Sequence, residues 1–221
     1  PMHVKKTLDD ALLAANVPYL FSSYVTDVLV DAAGRPAGVV IANRAGRQAI
    51  LAKAVIDATP RGAVARLAGA RFRAYPKGRQ VFLRYAVGGP VKSGEGVAGR
   101  QLKLAYRGDG TLKARAADAA PVHVVEYELR IDMPDGSFAS FARAEQIARD
   151  LTFDAGQQTA SDSLFQVPPD ALRSARSARG PWRGADGLDL EAFRPAGIPN
   201  LWVLNGAADV PREQAARLLR P

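Results

Sequence analysis

Cysteine is absent from all 221 residues, which excludes disulfides, thiolate nucleophiles and zinc or iron–sulfur sites built on sulfur. Histidine is scarce: His3 and His123 are the whole supply, too few for a histidine metal centre. Long apolar runs are missing as well. None approaches the ~18 residues of a membrane-spanning helix, and the amino-terminal stretch has no signal-peptide pattern. Together these absences set the expectation of a soluble, cytoplasmic protein without a metal or a membrane partner. An initiator methionine is also lacking, since the sequence opens Pro1-Met2-His3, and the expectation is a piece of a longer polypeptide.

What is present supports a packed core, with 48% hydrophobic residues, and a basic balance of +8. A basic balance can signal a nucleic-acid partner. Here 23 of the 30 basic residues are arginines scattered along an alanine-rich chain, and no nucleic-acid motif accompanies them. The one dense group is Arg173, Arg176, Arg179 and Arg183. It reads first as a solvated loop, with an anion- or nucleic-acid-binding edge as the alternative.

The stretch that organises the chain is Lys53 to Gly62. The apolar run Ala54-Val55-Ile56 stops at Asp57-Ala58-Thr59, and Ala63 to Ala68 follows with helical spacing. Thr59 is placed to accept from the first free amides of that helix, and Pro60 suits its first position. This predicts strand, tight turn, helix. Ligands of open α/β sheets bind at the carboxyl ends of strands, although a purely structural connection has the same pattern.

Upstream, Lys5 to Ala15 carries Leu8, Ala11, Leu12 and Ala15 on one helical face, with Asn16 as a stop. Tyr19-Leu20-Phe21 is a short strand candidate. Val25 to Asp31, Ala37 to Asn43 and Gln48 to Leu51 alternate between turn-like tetrapeptides and predict an antiparallel meander. Downstream, Gln80 to Val87, Gln101 to Arg107 and Val122 to Met133 are long extended runs. In the last of these one parity, from His123 to Met133, is apolar and the other, from Glu126 to Asp132, is charged, as in a sheet with one wet face. His123 belongs to the apolar parity and reads as a packed side chain. Ser140 to Leu151 is an amphipathic helix, and residues 152–187 form a polar, proline-punctuated loop. Leu201-Trp202-Val203-Leu204 then forms a buried-type strand, followed by the small-residue turn Asn205 to Asp209 and a helix starting at Pro211. Gly94-Glu95-Gly96-Val97-Ala98-Gly99 matches the dinucleotide fingerprint G-x-G-x-x-G. It lacks the preceding buried strand and the following helix that the motif requires, so it reads as a hairpin loop.

Leu12 to Tyr19, Tyr24 to Val28, the meander, Ala54 to Thr59 and Asn200 to Ala208 come in an order that resembles the FAD-dependent oxidoreductases of the glutathione-reductase-like superfamily. The resemblance spans roughly residues 5–70 and 195–220. It implies an α/β plus α+β fold: part of a three-layer FAD/NAD(P)-binding domain with its β-meander, lacking the amino-terminal GxGxxG unit, and carrying an inserted antiparallel substrate-type domain. The implied divisions are 1–72, 73–194 and 195–221. The implied cofactor is FAD in the full-length protein, bound weakly or not at all by this chain alone. The implied partners are a small-molecule substrate and the missing FAD-binding segment, in the same or another chain. By the same resemblance Val25, Ala58, Thr59, Gly206, Ala207, Ala208 and Asp209 would meet the cofactor. Pro60 stands where the family has glycine, and Ala207 where it has a cofactor-binding aspartate, leaving Asp209 as a partial substitute. His123, Tyr127 and Arg212 are the polar groups to inspect beside a flavin ring, and none is an evident acid–base catalyst. A noncatalytic remnant or partner subunit that retains the scaffold but not the cofactor is the alternative.

Overall fold

The computed structural model describes residues 2–106, 122–167, 170–181 and 184–211. Helix α1 (Met2–Ala14) opens the chain and stops where Asn16 adopts a left-handed conformation, φ 52°. Its Leu8 remains 60% exposed and Leu12 is half-buried, so the helix forms as its periodicity predicts but its apolar side is only partly covered by described residues. Tyr19-Leu20-Phe21 is not a strand. Tyr19 and Phe21 pack edge to face on each other, and the chain turns at Ser22, φ 51°, which leaves no extended length to pair.

The predicted meander is present. Strands β1 (Tyr24–Val30), β2 (Pro36–Asn43) and β3 (Gly46–Leu51) form an antiparallel sheet in that order. The β1–β2 turn is closed by the Asp31 carboxylate, which accepts from the amides of Ala33 and Arg35 and from the Arg35 side chain. Those bonds hold its pKa below the usual value, the backbone bond from Arg35 contributing most. Gly38 is where β2 touches β3 most closely: a Cβ there would lie 2.0 Å from the Ile50 carbonyl oxygen, at φ +151°.

Strand β4 (Val55–Asp57) leaves the meander and pairs in parallel with β10 (Leu201–Val203), joining segments nearly 150 residues apart in sequence. Between β4 and α2 (Ala63–Leu67) the chain does not enter one continuous helix, as the sequence suggested. A 3₁₀ turn spans Pro60–Gly62, and Arg61 and Gly62 both adopt left-handed angles before α2 begins. Beneath the meander, Val64, Ala65, Leu172, Leu201 and Val203 form a core against which Val25, Val28 and Val39 pack.

The five-stranded sheet is antiparallel. It contains β5 (Gly78–Gly88), β6 (Ser93–Gly94), β7 (Val97–Tyr106), β8 (Val122–Met133) and β9 (Gln157–Ala160), in the order β6-β7-β8-β5-β9. The fingerprint-like Gly94–Gly99 is the β6–β7 hairpin. Strand β9 was not foreseen in the polar loop: Gln157-Gln158-Thr159-Ala160 has no apolar pattern and is recruited by pairing with β5. Along β8 the apolar parity is buried and Arg130 and Asp132 are exposed. Glu126 departs from this. It is 7% exposed, because Tyr85 donates to one of its oxygens and Arg100 to the other.

Helix α3 (Phe138–Thr152) covers the sheet's dry face, with Ala144 and Ala148 against Phe82, Tyr127 and Leu129. Ser137 caps α3 by accepting from Ser140 N, and Asp135 accepts from Ser137 N and Ser140 Oγ. The turn after β4 meets α3 through Arg61, whose guanidinium lies 4.5 Å from the Phe141 ring centre, and α2 meets the connecting segments through Arg66, which stacks on Phe72 and donates to Asp170. No helix among the described residues is long and apolar enough to cross a membrane. The sequence-predicted helix from Pro211 lies beyond Pro211 itself and so outside the described residues, as does the Gly108-Asp109-Gly110 turn.

Two tests follow from these contacts. Gly38→Ala forces a Cβ into the Ile50 carbonyl and should destabilise the chain by about 3 kcal/mol or more in urea denaturation; a change within experimental error would refute the register. The hydrogen bonds from Ser137 and Ser140 lower the Asp135 pKa from 3.8 to about 2. A carboxylate with a depressed folded pKa contributes stability that is complete above the unfolded value and lost as pH falls through the folded one. Melting temperature should therefore fall between about pH 4 and pH 2 more steeply in the wild type than in Asp135→Asn; identical slopes would sink this assignment.

Candidate functional site

The carboxyl ends of β4 and β10 face the same way because the strands are parallel. Val55 N donates to Asn200 O at 2.8 Å at one end, and Leu204 N to Asp57 O at 2.9 Å at the other. The turns that leave these ends, Ala58-Thr59 and Asn205-Gly206, are tied by the Asn205 side-chain amide donating to Thr59 O at 2.8 Å. The same side chain accepts from Ala207 N at 2.8 Å through its oxygen. Asn205 is thus the residue that joins the two turns. The sequence marked it only as part of a small-residue turn, since the signal of an asparagine after a strand is a local one.

Asp57 is the second functional-site residue the sequence did not single out. It is 1% exposed. One carboxylate oxygen accepts from Thr59 N and Thr59 Oγ1 at 2.9 and 2.6 Å, the other from Ala65 N at 2.8 Å. Thr59 Oγ1 in turn accepts from Ala63 N at 2.8 Å, the capping role its position suggested. The Ala63 and Ala65 amides at the start of α2 are therefore already taken by the chain's own oxygens. Pro60 removes a further donor.

Of the residues named from sequence, the fold brings Ala58, Thr59 and Gly206 together. Ala58 is exposed, Thr59 and Gly206 are half-buried, and a Cβ on Gly206 would meet nothing within 4 Å, so this is an accessible wall of small residues. Ala207 and Ala208 lie behind it, 4% and 1% exposed, with Ala207 O accepting from Leu172 N. Val25 sits on β1 within the meander core. Asp209 turns away from the wall. It is 3% exposed and accepts from Arg73, Ser174 and Ser177, with Arg179 3.6 Å away. Arg176 is paired with Asp189. The arginine-rich segment is held largely by the chain's own carboxylates, although Arg173 is exposed and Arg183 lies outside the described residues.

His123 and Tyr127 are both committed to one turn. His123 Nε2 donates to Gly89 O at 2.7 Å, and the Tyr127 hydroxyl to Pro90 O at 3.0 Å. Tyr127 is fully buried, and that burial pushes its pKa above the usual phenol value. Arg212 lies outside the described residues. Among those described, no group of three or more histidine, aspartate or glutamate side chains is placed to hold a metal.

A parallel strand pair with tied small-residue turns at its carboxyl ends, a meander beside it and an antiparallel sheet inserted between its strands make a mixed α/β fold. The family model described as FAD dependent oxidoreductase matches residues 1–173, and the chain belongs to that family. No curated protein matches the sequence. Among solved structures it is similar to CabE, an aromatic hydroxylase from angucycline biosynthesis, with 14% identity and a TM-score of 0.50 over 94% of this chain. That likeness shows the fold alone. The chain spans 37% of the length of that structure.

If Asp57 organises the turn, Asp57→Ala strands two buried amides and should cost about 3 kcal/mol of stability. Thr59→Val keeps the shape but loses the hydroxyl bonds and should cost about 1 kcal/mol. Chemical denaturation at matched m-values distinguishes them; an Asp57→Ala loss no larger than that of Thr59→Val would refute the central role of the carboxylate.

Proposed function

We propose that the chain contributes the meander, the tied turns and the substrate-side sheet of a flavin-dependent oxidoreductase acting on a small molecule. On this reading residues 1–72 and 195–221 border the cofactor and residues 73–194 form the substrate side. The observation that carries it is the Asn205–Thr59 tie at the carboxyl ends of the parallel pair, in a chain of the FAD dependent oxidoreductase family.

The wall fits FAD in part. Ala58, Thr59 and Gly206 offer close approach without side-chain bulk, with Val25, Ala207 and Ala208 supporting them from behind. They do not offer a phosphate cradle, because the amides of Thr59, Ala63, Ala65, Ala207 and Ala208 are paired internally. Asp209 acts in this reading as a clamp on residues 173–179 and not as a ligand. Bound FAD supplies the hydride or electron transfer. The chain's own residues limit water access and fix the wall. A separate strand–GxGxxG–helix segment, in the same or another chain, supplies the phosphate contacts.

Flavin fluorescence quenching tests this directly. Residues 1–221 alone should bind FAD weakly or not at all, and adding a family-type GxGxxG segment should produce stoichiometric binding. Tight binding by the chain alone would contradict the division of labour. Failure even with the segment added would favour a scaffold that has lost the cofactor, a reading to which the internally paired amides lend weight.

A further inference from the structure

A cleft of about 740 Å³ opens where the β5–β8 ladder ends against α3. Its inner surface is apolar: Ile131 and Met133 are 3% and 1% exposed, and Ile147 packs half-buried beside them. Its lining also carries three cationic side chains, Lys77 ahead of β5, Arg130 on β8 and Arg143 on α3. Arg130 reaches Glu128 only at 3.3 Å. Lys77 and Arg143 form no ion pair with any described residue.

One carboxylate, Asp132, also lines the cleft, and it stands directly opposite Arg79 in the β5–β8 register. Asp135 lies near Lys77 but is committed to Ser137 and Ser140. The cleft therefore keeps a positive rim over an apolar floor. Charges beside a low-dielectric surface are less screened than charges in open water, and concave apolar sites with a few polar groups are the usual form of small-molecule sites.

We propose that this cleft binds an organic anion, a carboxylate carried on an apolar body, with Arg143 and Lys77 holding the charge and Ile131, Met133 and Ile147 receiving the body. A second carboxylate on the ligand is disfavoured by Asp132. The site is built from the antiparallel sheet and α3 alone and goes beyond the cofactor reading. It needs none of the residues of the β4 and β10 turns.

Isothermal titration of the 221-residue chain with hexanoate at low salt provides the test. The flanking probes are 1-hexanol, which has the body without the charge, and inorganic phosphate, which has the charge without the body. Hexanoate should bind saturably at one site, with both other probes at least about ten-fold weaker. The double variant Lys77→Ala/Arg143→Ala changes two exposed side chains and should weaken hexanoate about ten-fold or more, while Arg143→Lys retains most of the affinity. Arg47→Ala on the distant meander should change nothing. Phosphate binding as tightly as hexanoate would reduce the cleft to a charged patch, and hexanol doing so would reduce it to an apolar dent. An Arg47→Ala loss equal to that of the double variant, or no saturation by hexanoate below about 10 mM, would also overturn the proposal. No flavin is present in these titrations, so their outcome is independent of the FAD experiment.

Discussion

The turn after β4 depends on one buried carboxylate. Asp57 ends a three-residue strand and is withdrawn from water, a costly position for a charge unless hydrogen bonds compensate it. They do so from three directions, through the Thr59 amide, the Thr59 hydroxyl and the Ala65 amide. The carboxylate thus takes the place at the start of α2 that an external anion would otherwise occupy. This lets the chain tolerate left-handed backbone at Arg61 and Gly62, since the surrounding bonds over-determine the turn. The Asp57 carbonyl also receives Leu204 N, so the same residue aligns β10 and, through Asn205, the second turn.

Charge follows a similar logic elsewhere. Asp209 gathers Arg73, Ser174 and Ser177, Asp170 gathers Arg61 and Arg66, and Glu126 gathers Arg100 and Tyr85. Each acid is largely buried while its arginine partners are partly exposed, an arrangement that satisfies the carboxylate and leaves the guanidinium face free to stack on aromatic rings. Arg66 over Phe72 and Arg61 over Phe141 are examples. In a chain of net charge +8, the Lys77–Arg143 rim is set apart by its place over an apolar floor.

Most regular elements could be read from the residues because their signals are local. The meander follows from β-branched alternation between turn tetrapeptides, the long strand β8 from its two parities, and α3 from its apolar spacing. The misses have physical causes. Gln157 to Ala160 become a strand only because β5 offers a free edge. Tyr19 to Phe21 fail to become one because the chain turns at Ser22 before it reaches an extended length. Glu126 is buried because Arg100 and Tyr85 arrive from neighbouring strands. At the candidate site, Ala58, Thr59 and Gly206 were legible as small-residue turns after apolar runs. The roles of Asp57 and Asn205 were not, because each depends on partners 8 and 146 residues away.

What the sequence by itself determined was the chemistry that is ruled out and the order of elements: no thiol, a scarcity of histidine, a meander, and two strand–turn stretches far apart in the chain. Only the tertiary structure decided that those two stretches lie side by side, that several of their amides are spent on the chain's own oxygens, and that Lys77 and Arg143 form no ion pair among the described residues. The physical reason is that periodicity and turn preference are set by neighbours in sequence, whereas hydrogen-bond satisfaction and charge pairing are set by neighbours in space.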